Sequence, residues 1–87
     1  MEANISLDLK GLECPIPAIR TKRQLLKMQA GQVLYLECTD PLAAVDIPFV
    51  AQQLGHKLVS QAIEGDILCF WLQVGAAEKT GGEASWP

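Results

Sequence analysis

The chain has 87 residues, 49% of them apolar, with a mean hydropathy of +0.18 and a net charge of −3. This describes one small domain, too rich in aliphatic residues and too weakly charged to stay natively disordered. Ten Asp and Glu against seven Lys and Arg exclude a general basic footprint, so no direct nucleic-acid contact is expected. The longest apolar stretches, such as Ile67 to Val74, fall far short of the roughly 20 residues of a membrane span, so no membrane contact is expected either. Met1-Glu2-Ala3-Asn4 lacks the basic and apolar regions of a secretory signal, which points to a cytoplasmic address.

Ile5, Leu7 and Leu9 alternate with polar residues and predict a first strand with one buried face. From Pro15 to Gln29 the spacing becomes helical. Ala18, Ile19, Leu25 and Leu26 form the expected apolar stripe, with Gly31 as a left-handed C-terminal cap. Val33 to Thr39 reads as a second strand. Asp40-Pro41 signals the start of a second helix, and Pro48 is expected to break it, with Asp46 capping a restart that runs to Gly55. Leu58 to Ile63 and Ile67 to Val74 predict a hairpin around Glu64-Gly65-Asp66. The order βαβαββ predicts an α+β fold: a two-layer α/β sandwich in which two helices cover one face of a four-stranded mixed sheet. Residues 1–74 form the expected domain, and 75–87 a disordered tail in which Trp86 has no evident structural purpose.

Three cysteines, at 14, 38 and 69, cannot all pair and do not have zinc-ribbon spacing; a single histidine, His56, leaves little material for a metal centre or a Cys/His catalytic pair. No metal and no cofactor are expected. The segment Glu13-Cys14-Pro15-Ile16-Pro17 stands out. Its prolines occupy first-turn helix positions, where a missing N–H costs little, and they preform the backbone around Cys14. A thiol at a helix N-terminus should titrate modestly below the ordinary value of about 8.5. With no neighbouring base, such a thiol suits the acceptance of an already activated group better than attack on an amide or ester.

Four of the seven basic residues fall between positions 20 and 27. At roughly 100° per residue, Arg20, Arg23 and Lys27 share a helix face with Ile16, a positive lane leading away from Cys14 and suited to an acidic partner surface. Asp40 and Asp46 read as helix caps, and His56 as a loop or packing residue. Cys38 belongs on the core side with Leu34 and Leu36, and Cys69 on the opposite face with Trp71; neither is the expected redox partner of Cys14.

Leu7-Asp8, Gly11-Leu12, Cys14-Pro15-Ile16-Pro17, Met28, Gly31, Asp40-Pro41, Asp46-Ile47-Pro48, Gly55-His56 and Phe70 together resemble the TusA/SirA-like family of small sulfur carriers, over about residues 5 to 74. The resemblance implies a sulfurtransferase of the persulfide-relay type. Cys14 would take sulfur as a persulfide, with Glu13, Pro15 and Pro17 as the scaffold of the site. The implied partners are a donor protein, either a cysteine desulfurase or rhodanese-like, and an acceptor in tRNA thiolation, molybdenum cofactor maturation or sulfur oxidation; other members are assigned to regulation or selenium metabolism. Val45 departs from the basic residue found at that position in the tRNA-thiolation carriers. The alternative reading is a non-enzymatic regulatory or protein-interaction module of the same fold. Two helices on one side would leave Val33, Tyr35, Ile67, Cys69 and Trp71 on an open sheet face, an expected surface for a partner or for weak self-association.

Overall fold

The computed structural model describes residues 3–75; the expected tail and its Trp86 lie outside the described residues. In chain order the elements are β1 (Ile5–Leu9), α1 (Ile16–Leu26), β2 (Val33–Cys38), α2 (Ala43–Gln53), β3 (Lys57–Glu64) and β4 (Ile67–Gln73). The sheet order is β1-β2-β4-β3, with β1 parallel to β2 and the other neighbours antiparallel. The predicted four-stranded mixed sheet with two helices is therefore present.

Strand register explains the core. Ile5, Leu34, Leu72 and Leu58 form one cross-strand row; Leu9, Cys38 and Leu68 form another. With Leu36 and Phe70 between them, these rows meet Leu25 and Met28 from the α1 side and Ala43, Ile47 and Ala51 from α2. Gly65 has a φ of 63°, whereas Asp66 is not left-handed, the pattern of a two-residue II′ hairpin turn whose twist suits β3 and β4. The register slips between Leu58 and Ser60, so β3 carries a bulge.

Both helices differ from expectation. α1 stops at Leu26, and Gly31 does not cap it; with a φ of 91° it closes the turn in which the Gln32 amide donates to the Gln29 carbonyl at 3.1 Å. Its buried stripe is Pro17, Thr21 and Leu25, spaced four apart, while Ile19 and Leu26 point to solvent. The apolar residues of α1 occupy more than one face, and packing selects the one that contains Thr21.

α2 begins at Ala43 and continues through Pro48 without a break. The proline withholds one amide from the carbonyl of Ala44, an exposed residue, while Ala43, Ile47, Val50 and Ala51 anchor the helix on both sides of it. Asp46 consequently caps nothing: its amide donates to the Leu42 carbonyl at 2.9 Å as an ordinary helical residue. α2 ends in a Schellman arrangement, the His56 amide reaching the Ala51 carbonyl at 2.8 Å across left-handed Gly55. His56 Nδ1 in turn accepts the Gly75 amide at 2.9 Å, which confirms a packing role.

The open sheet face is not a large apolar exposure. Tyr35 and Trp71 pair across β2 and β4 with ring centroids 4.8 Å apart, and Cys69 beside them is only 3% exposed. The Tyr35 hydroxyl donates to Glu37 at 2.7 Å, and Lys10 pairs with Glu37 at 2.9 Å. Hydrogen bonding to Cys69 first, and then to Glu37, holds the Tyr35 phenol well above its usual range. Val33, Ile67 and Trp71 are half-buried. The strongly exposed large apolar side chains lie elsewhere: Ile16, Ile19 and Leu26 on α1, Leu42, Val45 and Phe49 at α2, and Ile63. Ile63 projects where α2 fails to cover β3, beside an open groove of about 300 Å³ lined by Ala44, Gln61, Ala62, Leu68 and Phe70.

Two stability outcomes follow from this packing. Thr21 is fully buried and its Oγ1 has no hydrogen-bond partner, an arrangement that costs about 1–3 kcal/mol. Thr21→Val is expected to stabilise the domain by about 1 kcal/mol and raise Tm by roughly 4–8 °C, read by thermal unfolding. Burial holds His56 below its ordinary pKa of 6.5, so the unfolded chain binds the proton more readily than the native one. The stability from neutral His56 is present above pH 6.5 and lost as pH falls through the lower native value. Urea midpoints measured in acid should therefore fall less for His56→Gln than for the parent chain.

Candidate functional site

Parallel pairing of β1 with β2 places the loops that follow both strands at the same end of the sheet. Two side-chain hydrogen bonds join the two loops, and a third ties the first loop to α2. The Gly11 amide donates to Thr39 Oγ1 at 2.9 Å, the Cys14 amide donates to Asp40 Oδ2 at 2.5 Å, and the Cys14 thiol donates to Asp46 Oδ2 at 2.9 Å. Asp40 Oδ1 also accepts the Leu42 amide at 3.0 Å, fixing the turn into α2. Those two backbone amides, Leu42 first and then Cys14, hold the Asp40 carboxyl below its ordinary pKa.

Cys14 is exposed, and the peptide bond to Pro15 is cis. Pro15 is the N-cap of α1 and Pro17 its second residue, buried against the core side. Glu13 is exposed and its carbonyl accepts the Ile16 amide at 2.8 Å. The expected scaffold residues thus surround Cys14, but the expected electrostatics do not hold. The thiol titrates above its ordinary value, first because it donates to Asp46, then through desolvation and the charges of Asp46 and Asp40.

The physical reason lies in the first turn of α1. Of the four amides that a helix N-terminus presents, Pro15 and Pro17 supply none, and that of Ile16 is bound to Glu13. The prolines that shape the loop also blunt the anion-attracting end of the helix, so two carboxylates decide the thiol's state. Asp40 keeps a turn-capping role, whereas Asp46 was legible in the sequence only as a cap. No local pattern indicates that residue 46 reaches residue 14; that contact depends on α2 remaining intact through Pro48.

Arg20 and Arg23 on α1 and Lys27 at its C-cap are exposed and form no ion pair among the described residues, beside exposed Ile16, Ile19 and Leu26. Lys22 is half-buried, nearer the packed side. The other two thiols are withdrawn from solvent: Cys38, 0% exposed, has its pKa pushed up to about 11, chiefly by burial, and Cys69 faces the opposite side of the sheet. No three His, Cys, Asp or Glu side chains are placed to share a metal ion among the described residues, and no helix among them is long and apolar enough to cross a membrane.

A family model described as "Sulfurtransferase TusA" matches residues 5–74. The chain belongs to this family. It is 43% identical over 75 residues to YrkI of Bacillus subtilis; the match spans 86% of this chain and 100% of YrkI. It is 42% identical over 59 residues to the sulfur carrier protein TusA of Allochromatium vinosum, across 68% of this chain and 78% of that one. The fold matches the crystal structure of a SirA-like protein from Desulfitobacterium hafniense with a TM-score of 0.73, covering 82% of this chain and 97% of that one at 23% identity. The TusA-family assignment supports a role in sulfur transfer.

The Asp40 link is testable by itself. Asp40→Ala should accelerate hydrogen exchange at the Cys14 and Leu42 amides several-fold relative to those of β2. Unchanged protection at both amides would show that the carboxylate does not hold the loops together.

Proposed function

We propose that this TusA-family chain accepts a sulfane sulfur on Cys14 as a persulfide from a donor protein and passes it to an acceptor protein. One observation carries the reading: of the chain's three thiols only Cys14 is exposed, and it stands on a loop cross-linked at the open end of the sheet. Glu13, Pro15 and Pro17 shape that loop. In the uptake step the Cys14 sulfur attacks the terminal sulfur of the donor's R–S–SH group. A new S–S bond forms on Cys14, the donor's S–S bond breaks, and its electron pair leaves with the donor's inner sulfur. The proton lost from Cys14 ends on that leaving thiolate, so no external oxidant or reductant is needed.

The donor is a cysteine desulfurase or a rhodanese-like protein, and delivery repeats the same exchange towards an acceptor. Arg20, Arg23 and Lys27, with exposed Ile16, Ile19 and Leu26, offer a mixed basic and apolar docking surface beside the thiol. This favours a protein partner with an acidic rim over direct contact with a small sulfur compound. The exchange belongs in the cytoplasm, whose reducing poise keeps thiols free.

The test is mass spectrometry after incubation with a cysteine desulfurase and cysteine. Cys14 should gain roughly 32 Da, one sulfur atom, and Cys14→Ser should gain nothing while keeping the parent circular dichroism spectrum. An adduct confined to Cys38 or Cys69, or none with desulfurase and rhodanese-like donors alike, would overturn the reading.

A further inference from the structure

We propose that Asp46 holds the proton of Cys14 in the resting protein, and that the thiol is released when a docked partner pairs a cationic side chain with this carboxylate. The inference rests on Cys14 being the reacting group. It adds a positioning residue and the charge that the partner must bring.

Asp46 sits 2.9 Å from the sulfur and is fixed by its helix: its own amide is bound within α2, and the next residue, Ile47, is fully buried. The carboxylate has no cationic partner among the described residues. The charged groups bonded to Cys14 are both acidic. α2 contributes Asp46 and the loop after β2 contributes Asp40, while Glu13, its exposed neighbour in sequence, adds no cation. α1 contributes a proline-blunted terminus, and its basic residues begin only at Arg20, more than a turn into the helix. With Asp46 bare, a thiolate at this position would lose a hydrogen bond and face a like charge at contact distance. A Lys or Arg laid against Asp46 removes both penalties, and the proton leaves to solvent or to the departing sulfur of the donor. The docking surface is then bipolar: it calls for a cation next to the partner's reactive sulfur and anions further along, opposite Arg20, Arg23 and Lys27.

Such an arrangement keeps an exposed thiol quiet towards stray electrophiles while leaving it available to the correct protein. The experiment uses the whole chain and needs no sulfur donor, so it is independent of whether sulfur is carried. Alkylation of Cys14 by iodoacetamide is followed by peptide mass spectrometry from pH 6 to 10. The parent should titrate above the ordinary thiol value of about 8.5. The isosteric Asp46→Asn should titrate lower, with reactivity at neutral pH rising by up to about tenfold for each pH unit the midpoint moves.

A second arm measures exchange of Cys14 with two activated disulfide peptides, one flanked by lysines and one by glutamates. The parent should prefer the cationic peptide, and Asp46→Asn should lose most of that preference. Asp46→Ser serves as a second neutral variant, and continued protection of Cys38 from alkylation reports an intact core. A midpoint that does not move in the neutral variants, or a cationic preference that survives in them, overturns the proposal.

Discussion

The parallel pairing of β1 with β2 is the constraint from which the site follows. Two neighbouring strands running the same way end on the same side, so the segments that follow them leave the sheet at one end and their residues meet there. Glycine at 11 and cysteine at 14 then lie within reach of Thr39, Asp40 and Asp46, which are distant in sequence. An antiparallel partner for β1 would turn its following loop away from that of β2 and separate the thiol from both carboxylates.

Within that end, two influences compete for the thiol. A helix N-terminus favours an anion, with energies of about 0.3–1 kcal/mol, but that figure assumes the usual unpaired amides. Here prolines remove two of them and Glu13 takes a third. The hydrogen bond to Asp46, then desolvation and the charges of Asp46 and Asp40, outweigh what remains of the helix effect and hold the thiol above its ordinary value. The same prolines therefore give the loop its shape and strip it of the charge effect that a helix start normally brings.

The strands and the faces of Cys38 and Cys69 were readable because a period of two leaves little freedom once one face is apolar. The helices were less readable. Ile16, Ile19, Leu25 and Leu26 do not define a single stripe, and the choice of the Pro17, Thr21 and Leu25 face is made by tertiary contact rather than by propensity. Pro48 was misleading because an interior proline is read locally as a break, while the buried residues around it hold the helix together. Cys14 and its prolines were legible as a thiol held in a shaped loop at a helix start. Its electrostatics were not, because they depend on a side chain 32 positions away. The apolar excess of the chain was expected on the open sheet face, but cross-strand pairing shelters much of that face and the most exposed apolar side chains lie on the helices and at Ile63.

The route of the chain at the opposite pole carries a further consequence. The Asn4 amide binds the Val33 carbonyl at the start of β2, and Val74 exchanges backbone hydrogen bonds with Gly31 and Gln32 at that same end. A Cβ on Gly75 would come within 2.2 Å of the Gly55 carbonyl oxygen, so the exit of β4 is pressed against the end of α2. Both ends of the folded segment thus emerge together, across the length of the strands from Cys14. Anything joined at either end, whether an enzyme, an affinity handle or a solid support, hangs from the back of the molecule and leaves the thiol facing outward, and a genetic fusion can be built there without redesigning the working face.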